Sequence, residues 1–243
     1  MKTLAFSKRC AKEILRDPLN IFLGLGFPLV LLFLLSAIQA NIPVELFEIE
    51  RLAPGIAVFG LSFMTLFSAT LVSKDRESSF LQRLYTAPLK PANFILGYML
   101  PLLPIAIGQS AFCFLTAIFL GLPITVNIIF AFFMMIPVAV FYVVLGLLCG
   151  SVLNVKQVGG ICGALLTNLS AWLSGVWFDL ELVGGAFKKA ADFLPFFHAV
   201  ELERAAINGN FSEIFPHIVF VSGYAVLVAA CSVILFLKQM KNQ

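Results

Sequence analysis

The sequence predicts an all-α integral membrane protein with six transmembrane helices, and three observations carry that reading. Hydrophobic residues make up 60% of the 243 positions and charged ones only 12%, whereas an ordinary soluble domain is about half apolar and about a quarter charged. A soluble domain of this length must still face water, so soluble enzymes, nucleic-acid modules and disordered chains are disfavoured. The 65 residues between Lys90 and Lys156 carry no formal charge. One span takes about 20 residues, so this stretch holds two, broken at Gly121-Leu122-Pro123 where a helix ends and turns. Further uncharged windows cover residues 18–44, 52–73, 157–178 and 214–237. These runs are continuous, without the period-two alternation of barrel strands. The spans are placed at 19–40, 52–73, 94–119, 127–150, 158–178 and 218–237.

Ahead of the first span, residues 1–18 form an amphipathic interfacial helix. At 100° per residue, Leu4, Cys10, Ala11, Ile14 and Leu15 share one arc, and Lys2, Lys8, Arg9, Lys12 and Arg16 the opposite one. A basic face over an apolar one suits anionic headgroups, and it serves equally as a topology anchor. Asp17-Pro18 then turns the chain into the bilayer. The first span is longer than a signal core, and no small-x-small site follows at Ile38-Gln39-Ala40, so it is expected to be retained.

Basic residues in the loops set the orientation. With the N-terminus inside, 12 of the 16 lysines and arginines fall on the inner side and 4 on the outer. Both termini are therefore expected in the cytoplasm.

The loop over residues 74–91, between spans two and three, is amphipathic on two sides. Phe80, Leu81, Leu84 and Tyr85 line one face of a short helix. Arg76, Glu77 and Arg83 remain on the aqueous face, and Pro88 and Pro91 end the helix. Most charged loops are solvated connectors, but a two-sided helix between spans also suits docking of a soluble partner.

No Asp, Glu, Lys or Arg lies within a predicted span, so ion-coupled carriers and voltage sensors lose weight. Neutral polar residues there include Gln109, Thr167, Asn168 and Ser174. Such groups are more often interhelical hydrogen-bonding partners than ligand contacts, and they remain the candidates for lining a pathway. Gly159, Gly160 and Gly163 would allow a close helix approach on span five. The outer segment, residues 179–217, is too long for a plain turn and could fold as a re-entrant hairpin shielded by protein.

No phosphate-binding loop and no nucleophile or zinc-hydrolase motif occurs. His198 and His217 stand apart, without metal-ligand spacing to any of the five cysteines. No catalytic, metal or directly bound cofactor site is expected, and the chain is not expected to be an enzyme.

This order of elements resembles the ABC-2 type transporter permease, the membrane subunit of type-two ABC exporters. Local resemblance lies in Lys74-Asp75-Arg76-Glu77 followed by Leu81, Leu84, Pro88 and Gly97. A second stretch is Leu173-Ser174-Gly175-Val176-Trp177-Phe178, leading to Leu194-Pro195, His198 and Arg204. The resemblance covers nearly the whole chain as a single permease domain. It implies a multi-pass protein of the plasma (inner) membrane that works with a separate cytoplasmic ABC ATPase, which holds the ATP, and with a second permease copy or paralogue. The loop helix would be the coupling helix. Asp75, Arg76, Glu77 and Arg83 would make polar contacts with the ATPase, with Phe80, Leu81 and Leu84 packing into it. The expected cargo is hydrophobic or amphipathic: a drug, antibiotic, peptide or lipid-like molecule. The alternatives are a polysaccharide-exporting permease of the same family, a self-sufficient channel or secondary carrier, and an assembly factor that moves nothing.

Overall fold

The computed structural model describes residues 2–43, 47–78 and 91–241, and no strand occurs among them. Helix α1 covers Lys2–Leu15. Helix α2 covers Pro18–Gln39 and contains a π-helical stretch at Phe22–Gly26. Helix α3 is Ile49–Glu77, α4 is Pro91–Phe119 and α5 is Asn127–Val152. Helix α6 spans residues 155–173, with a π-helical stretch at Gly159–Leu166. Three short helices follow, α7 at Leu180–Val183, α8 at Gly185–Phe193 and α9 at Pro195–Asn208. Helix α10, Phe211–Lys241, is the last of the described elements.

Among the described residues, five helices are long and apolar enough to cross a membrane: α2, α3, α4, α5 and α10. The chain is therefore a multi-pass membrane protein. The expected fifth span, 158–178, corresponds to α6, which differs from expectation. It starts earlier because Asn154 and Gln157 form a reciprocal capping box, which satisfies two orphan donors of its first turn. It stops at Leu173, because Gly175 turns the chain with φ +71°. With Lys156, Gln157 and Asn168 inside it, α6 does not reach the apolarity of the other five. The last span also begins earlier than 218. Gly209 closes α9 in the left-handed conformation, Asn210 N–H reaches back to the Ala205 carbonyl at 2.9 Å, and α10 starts at Phe211. That is the usual glycine stop of a helix.

Helix α3 is the axis of the bundle. In its most apolar window 89% of the residues are buried, against 22% in α2 and in α10. The outer helices turn Phe33, Phe112, Phe133 and Leu227 outward, as side chains facing lipid do. Against α3 packs α5, and small residues set the distance. A Cβ at Gly150 would stand 2.6 Å from the Ala69 carbonyl oxygen, and one at Gly146 would enter Ser68 and the Thr65 backbone. Thr65 and Ser68 then donate to the Tyr142 and Val143 carbonyls at 2.8 and 2.9 Å. Small residues at four-residue spacing with hydroxyl bridges are how membrane helices associate closely. This corrects the expected site of close approach. Within the chain a Cβ at Gly159 or Gly160 would meet nothing, and one at Gly163 would make only an ordinary 3.4 Å contact with Leu66.

Helix α1 is also sorted differently from expectation. Phe6, Cys10 and Ile14, one turn apart, are buried, with Phe6 edge-on to Tyr98 at 4.8 Å. Leu4 and Leu15, 70% and 67% exposed, remain free to face the bilayer. Arg9 stays at the edge of the basic face, 37% exposed, while its guanidinium reaches inward to Asp75.

Candidate functional site

Three consecutive residues at the end of α3 bind three different parts of the chain, because successive side chains on a helix fan out by 100°. Asp75 is only 1% exposed. Its Oδ2 accepts from Arg9 Nη1 at 2.5 Å and from the Tyr98 hydroxyl at 2.8 Å, which ties α1 and α4 to α3. Arg9 also reaches Glu13 at 2.8 Å. A carboxylate out of water needs such partners, since desolvation alone costs several kcal/mol per ion. Burial works against the Arg9 charge, but the bond and charge of Asp75 outweigh it and hold Arg9 firmly protonated. The neighbouring Cys10 thiol is pushed up to about 12, first by burial and then by the Asp75 charge. It stays an unreactive thiol at neutral pH.

Arg76 donates to the carbonyls of Ser151 and, at 2.6 Å, of Leu153. It thereby caps the C-terminal end of α5, where a cation opposes the helix dipole. Glu77 accepts from the Val155 N–H at 2.9 Å, at the first turn of α6, where an anion is favoured. Asp75, Arg76 and Glu77, expected to contact a partner, are thus engaged within the chain. Phe80, Leu81, Arg83 and Leu84 lie outside the described residues.

A cleft of about 520 Å³ opens between α2, α3 and α6. Leu23, Phe27, Phe59, Phe63 and Trp177 supply apolar wall, and Thr167 and Asn168 supply polar groups. The Thr167 hydroxyl donates to Cys162 O at 2.9 Å, and the exposed Asn168 amide to Ala164 O at 2.8 Å. Both π-helical stretches of the chain's described residues border this cleft, through Leu23 on α2 and Gly159, Gly163 and Ala164 on α6. Such stretches often mark functional sites. Gln109 and Ser174 lie elsewhere. Gln109, 1% exposed, donates to Ala57 O at 3.4 Å across the gap left by Gly60. Ser174, 2% exposed, donates to Ala171 O at 3.0 Å.

At the far end of α3, Arg204 of α9 binds Glu201 at 2.7 Å and donates to Gly175 O at 3.0 Å and Arg51 O at 3.4 Å. The short helices are thereby fixed to α3 and to the end of α6. Asn127 at the start of α5 donates to Ile207 O at 3.1 Å. Two features here escape the sequence reading. Glu203 is fully buried, and neither carboxyl oxygen has a partner among the described residues. Burial holds its proton well above the usual carboxyl range. His198 and His217, expected apart, meet with their Nδ1 atoms 2.8 Å from each other. The two histidines lie 19 residues apart and Glu203 has no partner among the described residues, so spacing carried no signal. The close contact at Gly146 and Gly150, by contrast, is visible as a small-x-x-x-small pattern.

Comparison with known proteins places these features in a family. The ABC-2 type transporter family model matches residues 1–208. The protein named as transport permease ycf38 of Cyanophora paradoxa is 30% identical over 155 residues, covering 58% of this chain and 53% of that protein. Those of the same name from Pyropia yezoensis and Porphyra purpurea are each 31% identical over 123 residues, covering 48% of this chain and 42% of theirs. The chain spans about half the length of the curated relatives it matches. With the family model matched over most of its length, and with a helical bundle of membrane-crossing length to carry that match, the chain belongs to the ABC-2 type transporter family.

Proposed function

We propose that the chain is the membrane-spanning permease subunit of an ATP-driven exporter in the plasma membrane, driven by a separate cytoplasmic ABC ATPase. The observation that carries this reading is the brace at the end of α3. Asp75, Arg76 and Glu77 join α1, α4, α5 and α6 to the helix that leads directly into residues 79–90. A push on that segment reaches five helices without a further joint. In this reading Phe80, Leu81 and Leu84 pack into the ATPase and Arg83 makes a polar contact, as a coupling helix. Asp75, Arg76 and Glu77 act as positioning residues behind it. ATP stays on the partner, and this chain binds no cofactor.

Helix α6 serves as the fifth of six spans, both termini are cytoplasmic, and α8 and α9 re-enter the outer leaflet. Two permease subunits, identical or paralogous, face each other with their clefts toward the pathway, so Thr167 and Asn168 meet the cargo. Gln109 and Ser174 would join them only after the helices move. Aromatic and aliphatic walls with neutral amide and hydroxyl groups favour a hydrophobic or amphipathic cargo: a drug, antibiotic, peptide or lipid-like molecule.

The test is a Leu81→Ser/Leu84→Ser double variant. It should insert and fold like the wild type, copurify at least tenfold less ATPase, and leave cells as sensitive to hydrophobic toxicants as a deletion strain. Undiminished ATPase association would overturn the coupling assignment. Unchanged sensitivity with loss of a surface glycan would move the cargo to polysaccharides.

A further inference from the structure

At the end of the bundle away from α1, the two histidines form a junction that the transport reading does not use. His198, near the start of α9, and His217, near the start of α10, approach to 2.8 Å between Nδ1 atoms. The Nε2 of His198 lies 2.8 Å from the Asp192 carbonyl oxygen at the end of α8. A carbonyl only accepts, so Nε2 carries a hydrogen, and in the neutral ring Nδ1 of His198 presents a lone pair. The single hydrogen between the rings therefore belongs to His217. The rings are held in place: His198 stacks on Phe220 with centroids 4.0 Å apart, and Phe197 meets both imidazoles edge-on. Both are half-buried. Arg204 is drawn to Glu201 and the backbone.

We propose that this pair binds a divalent transition cation of the class imidazole favours, such as Zn²⁺, Ni²⁺ or Cu²⁺, and so clasps α9 to α10. The ion takes the place of the shared hydrogen. The His217 hydrogen moves by exchange with solvent from Nδ1 to Nε2, so both Nδ1 lone pairs point at the ion and neutral rings release no net proton. Two bonds of about 2.0–2.1 Å at a tetrahedral angle place the nitrogens roughly 3.3 Å apart, a half-ångström opening that ring rotation supplies. A ring N–H given to a backbone carbonyl is the customary outer support of a metal-bound histidine. No group of three or more metal-ligating side chains occurs among the described residues, so water completes the coordination and the affinity is moderate. Imidazole is a ligand well matched to these ions. This site stands apart from the coupling brace and the cleft, and its fate does not depend on the transport reading.

The test uses the full chain in nanodiscs, thiols blocked with maleimide, dialysed against Ni²⁺ alone. About one Ni²⁺ per chain is expected, with affinity at least tenfold lower in His198→Gln and in His217→Gln, and with circular dichroism unchanged. Glutamine keeps a donor for the Asp192 carbonyl. On the wild type, Ni²⁺ should also slow modification of His198 and His217 by diethylpyrocarbonate, a reading that survives any misfolding of the variants. No Ni²⁺ bound at neutral pH, equal binding by both folded variants, or no protection of the two rings would each overturn the proposal.

Discussion

Replacing Arg9 by methionine is expected to destabilise the folded chain by about 3 kcal/mol, because it leaves a carboxylate buried without its cation. Asp75 is 1% exposed and would keep only the Tyr98 hydroxyl, 2.8 Å away. That bond places the loss at the low end of the range for breaking a buried pair. Methionine retains the aliphatic length, so the loss reports the charge and not the packing. Asp75→Asn alone should cost less, since the amide still accepts from Tyr98 and the freed Arg9, 37% exposed, can turn to water. The double variant Arg9→Met/Asp75→Asn should recover most of the loss of Arg9→Met. Unfolding of all four proteins in one detergent, followed by tryptophan fluorescence, checks this. Additive losses, or a wild-type midpoint for Arg9→Met, would remove Asp75 as the brace between α1 and α3.

Glu203→Gln is expected to stabilise the protein at alkaline pH, by an amount that grows with pH. Burial raises the Glu203 carboxyl well above its ordinary value of 4.5 in the folded chain. Above that value the unfolded chain is ionised while the folded chain keeps its proton, so the folded state binds more protons. Stability then falls as pH rises, at about 1.4 kcal/mol per pH unit, until the pH reaches the folded value. Glutamine does not titrate, and at pH 5 it is as poorly partnered as the neutral acid, so the two proteins should nearly coincide there. Thermal midpoints of both proteins between pH 5 and pH 8 measure the divergence. A difference that stays constant over that range would mean that Glu203 ionises in place or finds a partner.

Both effects arise at residues whose surroundings the sequence does not announce. Periodicity and charge-free runs made the five long helices, the basic N-terminal helix and the break after Phe119 legible, because each depends on local composition. The direction in which α1 faces was not, since Arg9 belongs to the basic arc of an isolated helix and meets Asp75 only across 66 residues of chain. The same holds for Glu203, whose isolation is a property of what packs around α9 and not of its neighbours in sequence. Glycine content pointed to α6 as the close-packed helix, whereas contact with the buried α3 selects Gly146 and Gly150. The expected helix over 158–178 was overextended because an uncharged window does not show where a positive-φ glycine ends the helix. Of the pathway candidates, Thr167 and Asn168 reach the cleft, while Gln109 and Ser174 bond to backbone within the bundle.

The central claim is that a separate ATPase drives this chain through its cytoplasmic brace. The most direct test is purification of the tagged chain from native membranes in mild detergent, with mass spectrometry of the proteins that follow it. The account predicts a stoichiometric soluble partner carrying a phosphate-binding loop. Recovery of the folded chain alone, together with flux by that chain in liposomes without ATP, would contradict it and make the protein a self-sufficient carrier.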